Sequence, residues 1–193
     1  MQISELFVSL QGEGFFTGTP AAFIRLAGCN LKCPFCDTNF QHTQTLSEQD
    51  ITRWAVQTGM THIVITGGEP TLQLTASLLQ QLHHEGLFIQ IETNGTRPLP
   101  PDCQADWVTC SPKSPYTNEP IRLTHIDELK VIFTSKDDPD NYNHLAASVR
   151  CLQPCDTGDE RRNEQLRQQA ISYCLHHPQW RLSLQTHKLL GLQ

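Results

Sequence analysis

The chain lacks any apolar run near the ~18 residues of a membrane span. Its opening, MQISELFVSLQGEG, lacks the basic segment and apolar stretch of a secretory leader. It has no Lys- and Arg-rich cluster, and 14 basic against 20 acidic side chains give a formal charge of -6. That balance argues against a phosphate backbone as partner, because such binding draws on clustered cations that release counterions. Neither nucleic acid nor a membrane is expected as a partner, and a cytoplasmic location is expected. No repeat, low-complexity tract or linker divides the 193 residues, so one domain over 1–193 is predicted, long enough to bury a core. Cysteine is not scarce: there are eight. With no sign of export, reduced, ligand-forming thiols are a better reading than a disulfide framework.

Apolar, partly β-branched runs at 21–27, 62–66, 87–91, 106–110, 128–133, 149–153 and 180–185 predict strands. Helical patterns lie between several of them: 48–58 behind Ser47, 70–85 from Pro70 to Gly86, a short one near 140–148, and 160–177. The Pro-rich RPLPPDC leaves no room for a helix between the third and fourth strands, and ELFVSL before QGEGFFTGTP predicts an extra edge strand. Strand, helix, strand implies right-handed crossovers and a parallel sheet. The expected fold is therefore α/β, an incomplete parallel β/α barrel.

Parallel sheets gather their chemistry at the carboxyl ends of strands. TGGEP (66–70), ETNG (92–95), SPK (111–113), Gln153-Pro154 and QTHK (185–188) all fall at such ends. Each alone reads as a turn or loop; together on one rim they predict a site. The first rim loop is the most specific: LAGCNLKCPFCDTNF holds Cys29, Cys33 and Cys36. A structural zinc site wants four protein ligands, usually as paired C-x2-C. C-x3-C-x2-C instead suits three corners of an iron–sulfur cube, leaving one iron open. Gln11 and Glu13 lie on a Gly-rich loop that a ligand can approach closely, and offer it an amide and a carboxylate. Arg25, in an apolar strand, requires an anion: an internal carboxylate or a substrate carboxylate. His187 suits either a carboxylate ligand or a solvent-facing loop.

CNLKCPFC resembles the cluster motif of the radical S-adenosylmethionine (SAM) superfamily, and TGGEP its glycine-rich element. SLQGEGFFTGTPAAFIRLAGCNLKCPFCDT, with ETNG, SPK, ELKVIF, LQP and RLSLQTHKLLGL, is similar to the 7-carboxy-7-deazaguanine synthase family over nearly the whole chain. The resemblance implies a radical SAM lyase of queuosine biosynthesis that uses a [4Fe–4S] cluster, SAM and Mg2+. Its substrate would be a small pterin, 6-carboxy-5,6,7,8-tetrahydropterin, whose ring contracts with loss of ammonia while SAM is regenerated. It further implies a homodimer and a flavodoxin-like electron donor. By the same resemblance Cys29, Cys33 and Cys36 hold the cluster, and Thr38 contacts Mg2+. Gly68, Glu69, Thr93, Asn94, Ser111, Lys113, Gln153 and Pro154 contact SAM. Gln11, Gly12, Glu13, Arg25, Gly68, Glu92 and His187 contact substrate, with Arg25 taking its carboxylate. No catalytic side chain is expected beyond the cluster and SAM.

Two rivals stand beside this reading. A small activase that installs a glycyl radical shares the cysteine spacing and short length, but it needs an open groove for a polypeptide, against which Gln11, Glu13 and Arg25 argue. A non-catalytic ferredoxin-like or zinc module leaves TGGEP unexplained. Cys151 with Cys155 and Cys103 with Cys110 form looser pairs; Cys110 and Cys151 lie in strand-like runs where cysteine behaves as a small hydrophobe. DERRNEQLR (159–167) reads as a solvated helix face, with a docking surface for an electron donor as the weaker option. Alanine at each of Cys29, Cys33 and Cys36 is expected to abolish bound iron and SAM cleavage in reconstituted protein. Full iron content in the triple variant would place the cluster at other cysteines.

Overall fold

The computed structural model describes residues 1–114, 116–134 and 137–192. Nine strands among them form one sheet in the order β3-β1-β2-β4-β5-β6-β7-β8-β9. They are β1 (Gln2–Leu10), β2 (Pro20–Leu26), β3 (Gln44–Thr45), β4 (His62–Gly67), β5 (Phe88–Thr93), β6 (Trp107–Cys110), β7 (Glu128–Phe133), β8 (Val149–Pro154) and β9 (Trp180–Leu182). The helices are α1 (Glu48–Gln57), α2 (Ala76–His84), α3 (Glu160–His176) and α4 (Thr186–Leu190). From β2 to β9 every pairing is parallel, whereas β1 runs antiparallel to both β2 and β3.

Alternation along the strands sorts the side chains. Ile24, Leu26, Ile63, Ile65, Ile89 and Ile91 pack in one cluster with Ile51 and Ala55 of α1 and Leu78, Leu79 and Leu82 of α2. Leu129 and Val131 of β7 join Leu166 and Ala170 of α3 in a second cluster. The intervening residues of β5, β6 and β7, namely Gln90, Glu92, Thr109, Glu128 and Lys130, are polar, and all but Glu92 are buried. One face of the sheet is thus an oily seat for helices; the other is polar across β5, β6 and β7, with an apolar patch of Phe7, Ala21, Phe23 and Val64 on β1, β2 and β4.

The polar face is the inside of a curve. At about 4.8 Å per strand, a flat sheet would hold β1 and β9, separated by six strands, roughly 34 Å apart. Instead, the Gly14 N–H donates to Ser183 Oγ at 2.8 Å, and the Thr186 N–H donates to the Gly12 carbonyl at 2.9 Å. The loop after β1 therefore meets the segment after β9, an open barrel whose gap is spanned by two loops. Phe16 of the same loop packs edge-on against His62, Phe88 and Trp107 at the amino ends of β4, β5 and β6.

Several boundaries differ from expectation for local reasons. The helix expected over 70–85 is a 3-10 turn at Pro70–Leu72 followed by α2, because Thr75 caps the Leu78 N–H. Near 140–148 only a 3-10 turn, Pro139–Tyr142, forms. There the Arg150 guanidinium takes the Tyr142 and Leu145 carbonyls, which a continuing helix would have used. The edge strand expected from ELFVSL is the longer β1, flanked by β3 at Gln2 and Ile3. The last strand stops at Leu182, and His187 sits on α4 rather than in a loop. Among the described residues no helix is long and apolar enough to cross a membrane.

Leu78 is fully buried between α2 and the sheet. Leu78→Ala is expected to cost about 2–5 kcal/mol of unfolding free energy in urea titration, the range for a buried leucine leaving a cavity.

Candidate active site

The cysteine loop is held from beneath by the end of β4. Gly67 has φ 140°, and a Cβ there would lie 2.1 Å from the Leu26 carbonyl oxygen; one on Gly68 would lie 2.0 Å from the Gly28 oxygen. Side chains at either position would push the two loops apart. The Glu69 N–H donates to the Gly28 carbonyl at 2.9 Å. The Glu69 carboxylate, 0% exposed, accepts from Thr71 Oγ1 (2.6 Å), the Thr71 N–H (3.1 Å), Thr93 Oγ1 (2.7 Å) and the Asn94 N–H (2.8 Å). Asn94 Nδ2 then donates to Asn30 Oδ1 at 3.0 Å, inside the cysteine loop.

The polar strand face supplies a second group. Lys130 Nζ lies 2.6 Å from Glu13 Oε2 and 3.5 Å from Glu92 Oε2. Gln11 donates to Glu92 Oε1 at 2.9 Å, and Gln185 donates to Glu13 Oε1 at 2.9 Å. Burial opposes the charge on Lys130, but Glu13, Glu92 and Glu128 overcome it and push its pKa above the ordinary lysine range. Lys113, which donates to Ser111 Oγ at 2.7 Å, is pushed down by burial and then by Lys130.

The chain's last segment forms the remaining wall. His187 packs on Gly12, where a Cβ would meet its ring at 2.1 Å. Lys188 bridges Asp37 (2.6 Å) and Asp156 (2.9 Å), tying α4 to the residue after Cys36. Burial alone would raise the Asp37 carboxyl; the Lys188 hydrogen bond and charge hold it below its usual value.

These three groups enclose a cavity of about 630 Å³, within the roughly 300–1,000 Å³ of small-molecule sites. Cys29, Cys33, Cys36 and Thr38 line it. So do Gln11, Gly12, Glu13, Arg25, Gly68, Glu92 and His187. Thr93, Asn94, Ser111, Lys113, Gln153 and Pro154 complete the expected set. Of the residues expected from sequence, Glu69 alone is not on the lining; it stands behind it with both oxygens engaged. Arg25 has an internal partner, Glu5, at 3.4 Å through Nε, and its guanidinium lies 5.5 Å from the Phe7 ring centroid.

All eight cysteines are unpaired thiols. Among the described residues no group of three or more His, Cys, Asp or Glu is arranged around a single metal ion. A four-iron cube does not require that, because each thiolate takes a different iron. Burial pushes the Cys29 and Cys33 thiols up, so binding iron there releases protons.

The sequence pattern of the radical SAM superfamily matches residues 23–116. The chain is 43% identical to 7-carboxy-7-deazaguanine synthase of Bacteroides thetaiotaomicron, over 100% of this chain and 98% of that one. It is 41% identical to the synthase of Bordetella pertussis, over 98% of each. The crystal structure of QueE from Escherichia coli superposes with a TM-score of 0.78 at 30% identity, covering 95% of this chain and 92% of that one. The chain belongs to the 7-carboxy-7-deazaguanine synthase family. Such enzymes are radical SAM lyases that use a [4Fe–4S] cluster and SAM, and the open sheet is the incomplete β/α barrel expected. The relatives named here are synthases, not glycyl-radical activases.

Sequence reasoning gave no role to several polar residues of this family member's cavity, among them Lys130, Asp37 and Asp156, and it placed Gln185 and Lys188 on the rim within QTHK without assigning them one. A signal for Lys130 was present, a lysine two residues from Glu128 inside the apolar run ELKVIF. Glu13 offers a test of the network. Burial alone would raise its carboxyl, but the Lys130 ammonium and hydrogen bonds from Lys130 and Gln185 bring it down to about 2. A carboxyl depressed on folding contributes stability above its ordinary 4.5 and loses it as pH falls toward about 2. The stability gap between wild type and Glu13→Gln is expected to narrow as pH falls from 4.5 to 2, read by urea unfolding at each pH. A constant gap across that window would remove the ion pair as its source.

Proposed function

We propose that this chain converts 6-carboxy-5,6,7,8-tetrahydropterin to 7-carboxy-7-deazaguanine with loss of ammonia, a step of queuosine biosynthesis. One observation carries the reading: the three-thiol loop, the glycine-rich end of β4 and the acidic strand face open on one cavity. Cys29, Cys33 and Cys36 would hold the cluster, which together with SAM would supply the radical chemistry that begins at C6 of the substrate.

The protein's part is placement and exclusion of water. Lys113, a half-buried cation beside Ser111, is suited to the SAM carboxylate. The Gly68 backbone, Thr93 and Asn94 are assigned to the methionine end, with Glu69 holding the latter two in position. Gln153 and Pro154 are assigned to the adenine side. Gln11, Gly12, Glu13 and Glu92 take the aminopyrimidinone edge. Arg25 and His187 take the substrate carboxylate; Glu5 meets Arg25 at Nε, 3.4 Å away, and the planar terminal nitrogens are assigned to a bidentate contact with substrate. Thr38 offers a hydroxyl for Mg2+ beside that carboxylate, a hard oxygen ligand of the kind the ion prefers.

Residues 1–193 are read as one radical SAM domain acting as a homodimer in the cytoplasm, reduced by a flavodoxin-like donor. Exposed Leu189 and Leu190 on α4, 70% and 63% accessible, support association. The deciding assay incubates anaerobically reconstituted protein with dithionite, SAM, Mg2+ and the carboxytetrahydropterin. Mass spectrometry should find 7-carboxy-7-deazaguanine in excess of SAM added. Absence of that product, with SAM cleaved, would sink the reading.

A further inference from the structure

Lys130 is 4% exposed in its side chain and holds two carboxylates that reach it from different segments, Glu13 after β1 and Glu92 on β5. All three line the cavity. A buried ion pair is a weak device for stability, since desolvation offsets most of the attraction. Its effect on the carboxylates is larger. Two carboxyl groups sharing a closed pocket without a cation do not both stay ionised, and a protonated one becomes a donor.

The donor edge of an aminopyrimidinone, an exocyclic amine beside a ring N–H, needs acceptors. Gln11 and Gln90 donate amide N–H groups to Glu92 Oε1, at 2.9 and 3.4 Å, and Gln185 donates one to Glu13 Oε1, which fixes their orientation and leaves further lone pairs on each carboxylate. We propose that Lys130 is a positioning residue for substrate recognition, holding Glu13 and Glu92 together as ionised, acceptor-only carboxylates on one wall of the cavity. The proposal rests on the function given above and names what reads the pyrimidinone edge. The other charged or titratable groups acting on the trio are His62 on β4, Glu128 on β7, Cys151 on β8, Lys113 after β6, Asp37 in the cysteine loop and His187 on α4. Glu128 is itself taken up by Trp107 Nε1, Thr109 Oγ1 and the Phe15 N–H, so it is not a substitute for either carboxylate.

The test is a mutant cycle on reconstituted, SAM-bound protein, with affinity for unreactive 6-carboxypterin read from the ligand's fluorescence. Glu13→Gln is expected to weaken binding about tenfold, and Lys130→Met at least as much at pH 7. Because Lys130 acts through Glu13, the losses do not add: Glu13→Gln/Lys130→Met should lie within about threefold of Glu13→Gln alone. Lys130→Arg, which keeps a cation between the two carboxylates, should stay within about threefold of wild type, whereas Lys130→Met should not. A merely space-filling role would not separate the cationic variant from the apolar one. If Lys130→Met does not fold, the step from Glu13→Gln to the double variant decides alone. A further tenfold loss in that step, with the thermal midpoint within a few degrees, overturns the proposal. Wild type that cleaves SAM yet fails to bind 6-carboxypterin rejects the substrate reading itself, and this inference with it.

Discussion

The buried carboxylate of Glu69 is the constraint on which the site's geometry depends. A fully buried anion is tolerated only when its acceptor sites are filled, and here the donors come from two different loops. Thr71 lies on the turn after β4, while Thr93 and Asn94 end β5. Filling one residue's hydrogen-bonding capacity therefore fixes the distance between two strand ends. The Glu69 N–H, bonded to the Gly28 carbonyl, passes that constraint to the cysteine loop. The two glycines before it let backbone lie against backbone, so the three thiols are carried by the sheet although their loop has no regular structure of its own.

Charge is divided within the cavity. Near the cysteine loop stands Lys113, a lysine whose cationic form is disfavoured by burial and by Lys130, an environment that improves on meeting an anion. On the strand face a single ammonium is shared by two carboxylates, an environment already settled and slightly acidic. An amino-acid-like cofactor and a heterocycle rich in N–H donors ask for different surroundings, and the chain offers both without a dividing wall.

The sequence disclosed the site better than it disclosed the helices between strands. Rim residues were legible because parallel strands deliver their carboxyl ends to one edge, so motifs far apart in the chain fall together on that edge. Cys29, Cys33 and Cys36 carried the most, since their spacing excludes the commoner zinc arrangement. Lys130 carried the same signal as Arg25, a cation in an apolar strand, but its role was not legible, because its partners come from distant segments that only the fold brings together. The helix expected over 70–85 failed at Thr75, whose capping bond competes locally with continuation, and the one expected near 140–148 failed through Arg150, which comes later in sequence. Both are hydrogen-bond competitions that apolar periodicity cannot weigh.

The contact between the loop after β1 and the segment after β9 joins residues 169 and 174 positions apart. Its loop-closure entropy is offset only once the intervening parallel strands have been laid in order, each by a crossover connection that is slow to form. The cavity wall made by Gln185, His187 and Lys188 is accordingly absent from every intermediate lacking β9. During synthesis, the three thiols emerge and can fold against β4 long before the compartment that will confine their chemistry exists. Arrival of the segment after β9, rather than formation of the cysteine loop, is what closes the interior into a reaction vessel.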